Sequence, residues 1–248
     1  MDWTKAKNII IMALIITNLV LIGSLYVKYS DKQEVQKKEL SDTISVLESR
    51  NISINTNLPK DIGNKPLLYI EYDNANQSLI DEKLKKQNVI SAETVDQAAV
   101  EKYINEFLAE CNILTKNVVL KSIEAKNGVY IVEYKNMVGE IALEDSYIKC
   151  IFAEGKIIDF KRIWLKPLNF GKTKREVIPI SSALIRFMNK IKEGPEKDIN
   201  IVINGIELVY WLDTSALDLN SPVSDTAFPA WKFTYNNGEV IHIGAFEI

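Results

Sequence analysis

One stretch limits what this chain can become more than any other: Ile9 to Val27, reading IIIMALIITNLVLIGSLYV, without a single charged residue. A helix needs roughly 17–25 apolar residues to cross a bilayer core. Trp3 lies just before the run and Tyr26 and Tyr29 at its far end, where amphipathic rings favour a membrane interface. A secretory leader would carry a shorter apolar region, about 7–15 residues, closed by a small-x-small cleavage site. No such site follows here. The stretch therefore predicts an uncleaved single-pass anchor at 9–27 behind a short N-terminal segment at 1–8.

Which side the remainder occupies stays open on charge alone. Lys5 and Lys7 precede the run, but Lys28, Lys32, Lys37 and Lys38 follow it, a bias that would keep the large domain inside. Long domains can be translocated against that bias. Hydrophobic residues make up 47% of the chain and charged residues 25%, enough apolar material for a packed core. The net charge of -3, with dispersed basic residues, argues against nucleic acid. Cys111 and Cys150 leave two readings: one bridge in an oxidising space, or two buried thiols.

After the anchor, residues 28–57 read as a polar stalk that becomes a short helix, with Leu40, Ile44 and Leu47 at helical spacing. A first module is expected over 58–168. Leu67 to Tyr72 alternates as a strand, and Asp73 to Asn88 reads as a polar loop with local turns or another short strand. A helix over 91–112 is announced by Thr94 with Gln97 three positions on, a capping box. Its apolar face is Val100, Ile104, Phe107, Leu108 and Cys111. Strands 118–125 and 129–135 should meet at Asn127-Gly128, and 147–152 and 157–164 at Glu154-Gly155, where the turn residues tolerate positive φ.

Lys166-Pro167 through Lys174 has the punctuation of a domain boundary, and a second module is expected over 169–248. Pro179 suits a first helical turn, and Ile180, Leu184, Phe187, Met188 and Ile191 trace one helix face. Gly194-Pro195 would stop it. Strands 199–203 and 206–212 should turn at Asn204-Gly205. A polar loop through Ser221-Pro222 follows, and strands 231–235 and 239–248 should turn at Asn236-Asn237-Gly238. The predicted fold class is α+β: one transmembrane helix, then two similar modules, each a helix on a mainly antiparallel sheet.

Recognisable reaction chemistry is sparse. His242, the one histidine, sits between Ile241 and Ile243 with no flanking motif for acid–base duty. There is no G-x-S-x-G elbow, no phosphate-cradling glycine motif, and no zinc ligand spacing. No cofactor and no metal are expected, and a non-enzymatic protein is the reading. Trp164, Trp211, Trp231, Phe233 and Tyr235 fall in predicted strands and read as core. Two surfaces remain. Thr17, Asn18, Gly23 and Ser24 interrupt the apolar run, and Asn18 carries a donor and an acceptor better satisfied against a partner helix than in lipid. The cations Lys161, Arg162, Lys166, Lys172, Lys174 and Arg175 form either a polyanion or partner surface or a solvated strand face.

Several residues together resemble one family. The start Met1-Asp2-Trp3 with Lys5 and Lys7 running into a span that holds Asn18, the run VLESRNISINTNLPKDI, and the ending Ala230-Trp231 with Ile243-Gly244-Ala245-Phe246 are similar to the YycI branch of the YycH/YycI regulatory proteins. That resemblance implies a Gram-positive cell-membrane protein whose N-terminal residues 1–8 are cytoplasmic and whose C-terminal domain is extracytoplasmic. It implies an accessory regulator of the cell-wall-regulating sensor histidine kinase of a two-component system, WalK or YycG. Contacts would run through the transmembrane helix and the external domain, with a YycH-like sister regulator as a further partner. No catalytic residues come with it. The competing expectation is an extracytoplasmic cell-envelope ligand-binding module for a wall polymer or peptide.

Overall fold

The computed structural model describes residues 3–59, 62–73, 77–90, 96–192, 200–212 and 224–247. Contacts divide the chain into two compact units, Met1–Ile54 with Ile180–Val202 and Asn55–Pro179 with Ile203–Ile248.

The first unit is built on α1 (Trp3–Glu48), an unbroken helix, with β1 (Ile52–Ile54) and α4 (Ile180–Lys192). Leu40, Thr43, Ile44 and Leu47 recur at helical spacing near its C-terminal end, and Thr43 and Leu47 are buried. Those turns pack on α4, where Ser181 Oγ donates to Glu39 Oε1 at 3.0 Å. The helix ends at Asn51, whose φ of 61° supplies the left-handed cap that asparagine tolerates. The Ile201 N–H then donates to Asn51 O, opening the pairing of β1 with β8 (Ile201–Trp211). The polar stalk is thus the second half of one long helix, docked at its end.

The expected membrane span does not survive. Among the described residues no helix is long and apolar enough to cross a membrane. The uncharged run is the first part of one 46-residue helix, not an element of its own. The same helix then continues through Glu34, Lys37, Lys38 and Glu39. The single-pass anchor, and with it the cell-membrane placement with a cytoplasmic N-terminus and an extracytoplasmic domain, is corrected accordingly.

The second unit holds β2 (Lys65–Tyr72), α2 (Gln77–Lys85), α3 (Gln97–Glu110), β3 (Val118–Lys126), β4 (Val129–Val138), β5 (Ile141–Ala153), β6 (Lys156–Ile163) and β7 (Leu165–Arg175). It also holds β8 from Ile203 on, with β9 (Ser224–Tyr235) and β10 (Glu239–Gly244). The strands lie in one sheet of ten, ordered β3-β4-β5-β8-β9-β2-β7, with β6 on β5 and β10 on β9. Most pairs are antiparallel, but Ala142 and Leu143 of β5 run parallel to Val209 and Tyr210 of β8. The sheet is therefore mixed. The expected pair of similar antiparallel modules is corrected to one α+β fold with a single large mixed sheet.

Three predicted hairpins form as the turn chemistry requires. Asn127 and Gly128 have φ of 51° and 77°, Glu154 and Gly155 of 53° and 77°, and Asn236 and Gly238 of 47° and 99°. Asn204-Gly205 does not turn. Neither residue has positive φ, and β8 passes straight through with a bulge between Ile203 and Gly205. The segment punctuated as a boundary, Lys166 to Lys174, is strand β7, paired antiparallel with β2. The loop expected over 73–88 contains α2, which buries Ile80. Thr94 of the expected capping box lies outside the described residues, as do Gly194-Pro195 and Ser221-Pro222. The observed cap of α3 is Asp96, whose carboxylate accepts from the Ala99 N–H at 2.7 Å.

Candidate interaction surfaces

Four residues of α1 were expected to meet a partner, and the helix spreads them out. Thr17 and Ser24, seven apart, share a stripe, whereas Gly23 stands about 140° around the axis from Asn18 at about 100° per residue. Thr17 Oγ1 already donates to Ala13 O at 2.8 Å. Asn18 and Ser24 are exposed, and a side chain at Gly23 would meet nothing within 4 Å. The apolar residues around them are exposed too, from Ile10 at 63% to Tyr26 at 75%. An apolar surface of that extent marks an interaction site.

The basic cluster divides in two. Arg162 is a buried structural group, its side chain 8% exposed, ion-paired with Asp73 and lying over the Trp164 ring. Lys161 lies over Tyr147, Lys166 pairs with Glu71 at 2.7 Å, and Arg175 covers the Phe246 ring at 4.7 Å while donating to Glu247 O. Lys172 and Lys174 differ. Both are exposed on β7, and neither makes an ion pair among the described residues. The run of six cations is thus not one surface.

A third grouping escaped the sequence reading. On β5 the buried positions step from Leu143 to Ser146 instead of by two, and Asp145 takes φ of 58°. The result is a bulge opposite Lys135 and Asn136. It turns Ser146 inward, where its Oγ accepts from the Leu165 N–H at 3.0 Å and from Asn136 Nδ2 at 2.9 Å. It leaves Glu144 facing Lys232 on β9, with Oε1 2.7 Å from Nζ, and His242 on β10, 3.8 Å from Nε2. The imidazole stacks on Trp211 of β8, rings 5.1 Å apart and 7° from parallel. Asp145 alongside has its carboxyl held above the usual range by partial burial and by Glu144. These groups form an aromatic and ion-pair cluster in which Lys232, Glu144 and His242 are 19%, 18% and 15% exposed and Trp211 is half-buried. The broken alternation Leu143-Glu144-Asp145-Ser146 was its one legible trace.

The remaining aromatics Trp164, Trp231, Phe233 and Tyr235 are buried, as core. Cys111 and Cys150 are both free and buried, and burial pushes the Cys150 thiol up to about 12.

The fold is that of an α+β protein with a large mixed sheet. No protein-family model matches the chain, and no curated protein matches it. Among solved structures it is similar to the Bacillus megaterium YpeB C-terminal domain, at 17% identity and a TM-score of 0.33. The match covers 67% of this chain and 65% of that one, under two thirds of that structure's length. A likeness of this size fixes neither partner nor function.

Proposed function

We propose that this chain is a non-enzymatic accessory regulator that acts by binding, with a cell-wall-regulating sensor histidine kinase of the WalK or YycG kind as its partner and a YycH-like regulator as a second. The observation that carries the binding reading is α1. Its first half presents exposed apolar side chains from Ile10 to Tyr26, while its last turns, with Thr43 and Leu47 buried, pack on α4 and are joined to it by the Ser181–Glu39 hydrogen bond. A partner seated on the first half thereby gains a rigid handle on the first unit. The similarity of the sequence to the YycI branch supports the kinase as that partner. A binder moves such an equilibrium only by preferring one of the kinase's states.

The test is crosslinking and co-purification of the full chain from cells, beside a chain whose residues 10–26 are replaced by an unrelated apolar helix. Recovery of a sensor kinase with the native helix and loss with the replacement supports the reading. Asn18→Leu is expected to weaken recovery. A kinase absent from both samples removes it.

A second reading rests on the Trp211–His242 stack and the Glu144–Lys232 pair: a ligand-binding module that takes a polymer or peptide on the sheet face. Binding of wall fragments to the full chain, lost with Trp211→Ala, would favour it.

A further inference from the structure

We propose that β7 is a docking edge, at which an extended acidic segment of a partner protein adds to the sheet as a further strand. This surface is separate from α1 and does not depend on the kinase reading.

The strand is 11 residues long and ends the path of the sheet. Its described pairing is with β2 alone, so alternate backbone N–H and C=O groups face away from β2 with no strand beside them among the described residues. Long edges of this kind are usually blunted by proline, charge or covering. Here Pro167 and one register shift disturb the first half, and a second shift, between Phe170 and Lys174, leaves residues 171–173 without β2 partners, yet the strand itself continues through Phe170 to Arg175.

Two features point to an occupant. Leu168 and Phe170 are 45% and 52% exposed on the edge, and Phe170 leans on the buried Tyr210, ring centres 6.2 Å apart. An added strand would finish covering that rim of the core. Lys172 and Lys174 project on the same strand with no ion pair among the described residues, whereas Lys166 and Arg175 are engaged by Glu71 and Phe246. Opposite charges across adjacent strands stabilise pairing and like charges oppose it. The charge therefore selects a segment carrying Asp or Glu at alternate positions. A second copy of β7 fits poorly, because antiparallel pairing about Phe170 would set Lys174 against Lys166.

The opposite edge makes the contrast. On β3, Lys121 is already held by Glu133 at 3.0 Å, and Glu124 lies between it and Lys126. That edge offers no uncompensated charge of one sign.

The test titrates the full chain with a synthetic peptide matched to β7 in length and alternating glutamate with valine. Two further peptides carry N-methyl groups on alternate amides, one in each frame. Hydrogen exchange of the β7 amides is followed by mass spectrometry. Strand addition requires that the parent peptide slow exchange in β7. One methylated frame, its methyl groups pointing outward, should bind as the parent does, and the other should fail. Lys172→Glu with Lys174→Glu should weaken binding by about tenfold, the sum of two screened ion pairs. Equal binding of both methylated frames would reduce β7 to a polyanion patch and overturn the proposal. Absence of binding, or protection elsewhere than β7, would overturn it as well.

Discussion

Strands β4, β5 and β6 carry two helices, and strands β2, β7 and β9 at the other end of the same sheet keep large apolar side chains in the open. Against the first group lie Ile80 of α2 and Val100, Ile104, Phe107 and Leu108 of α3, packed with Val132, Tyr134, Ile148, Cys150 and Phe152. Ring edges meet between Tyr103 and Phe152 and between Phe107 and Phe160. Polar groups tie the two layers together: Tyr134 donates to Asn105 at 2.9 Å, and Gln87 joins the helical side to Ile157 in both directions. In the second group Tyr69, Leu168, Phe170 and Phe228 are 41%, 45%, 52% and 41% exposed. The difference teaches where stability and recognition divide. One end buries most of its apolar surface under two helices, with Ile158 and Ile163 of β6 left exposed, and the other has no helix over its exposed rings among the described residues.

Side-chain truncation should separate the two ends most sharply. Leu108→Ala removes a fully buried side chain and should cost about 2–5 kcal/mol, the transfer term plus a cavity term. Phe170→Ala, on a half-exposed ring, should cost about 1 kcal/mol or less. Urea unfolding midpoints at constant slope would measure both. Equal losses would mean that the β7 end is as much a part of the core as α3.

Turn glycines give the next largest effect. Gly155 and Gly128 share φ of 77°, so a side chain strains both by about 1–2 kcal/mol. A Cβ at Gly155 would also run into the Ile90 carbonyl, whose N–H donates to Gly155 O at 3.0 Å, whereas at Gly128 nothing lies within 4 Å. Gly155→Ala should therefore cost about 1–3 kcal/mol more than Gly128→Ala, the range for overpacking. Thermal or urea unfolding of the two variants side by side decides it.

These turns also show what the sequence could and could not disclose. At Asn127-Gly128 and Glu154-Gly155 a glycine sits between two alternating apolar runs, and local backbone preference settles the outcome. Asn204-Gly205 looks the same locally, yet Ile206, Leu208 and Tyr210 must continue the pattern of Ile201 and Ile203 against β9, and the pair becomes a bulge. Long-range pairing overrode the turn signal. The α3 face was legible because Val100, Ile104, Phe107 and Leu108 keep helical period. Helix α2 was not, because Ile80 is its one buried residue amid charge. Strand β7 was hidden by Pro167, Asn169 and Gly171, which read as linker but are tolerated on an edge. The cluster of Trp211, His242, Lys232 and Glu144 depends on four strands brought together by the fold, and along the chain only the broken alternation from Leu143 to Ser146 hints at it. The two readings of the cysteines could be decided only by geometry.

Smaller and pH-dependent is the contribution of Cys150 in the closed end. Burial raises its thiol to about 12 in the fold from an ordinary value of 9.0. Below pH 9 both states are neutral and the stabilising contribution is fully present. Between about pH 9 and 12 the unfolded chain releases a proton that the folded chain retains, so stability falls with a limiting slope of about 1.4 kcal/mol per pH unit from this group. Urea unfolding across that range should show the loss, and Cys150→Ala should flatten part of it at a fixed cost in the midpoint.

The smallest expected effect is the most useful at the open end. Lys172 and Lys174 are exposed and form no ion pair among the described residues, so exchanging both for glutamate should shift unfolding by no more than about 0.5 kcal/mol, as for surface sites without partners. If the cations instead steady β7 against β2, the double variant would unfold earlier and its β7 amides would exchange faster in the free protein. An unchanged midpoint with unchanged exchange would leave the two lysines without a folding role. That result would leave their charge available to the partner segment proposed for β7, whereas at the end closed by α2 and α3 Lys83 is already paired with Glu110.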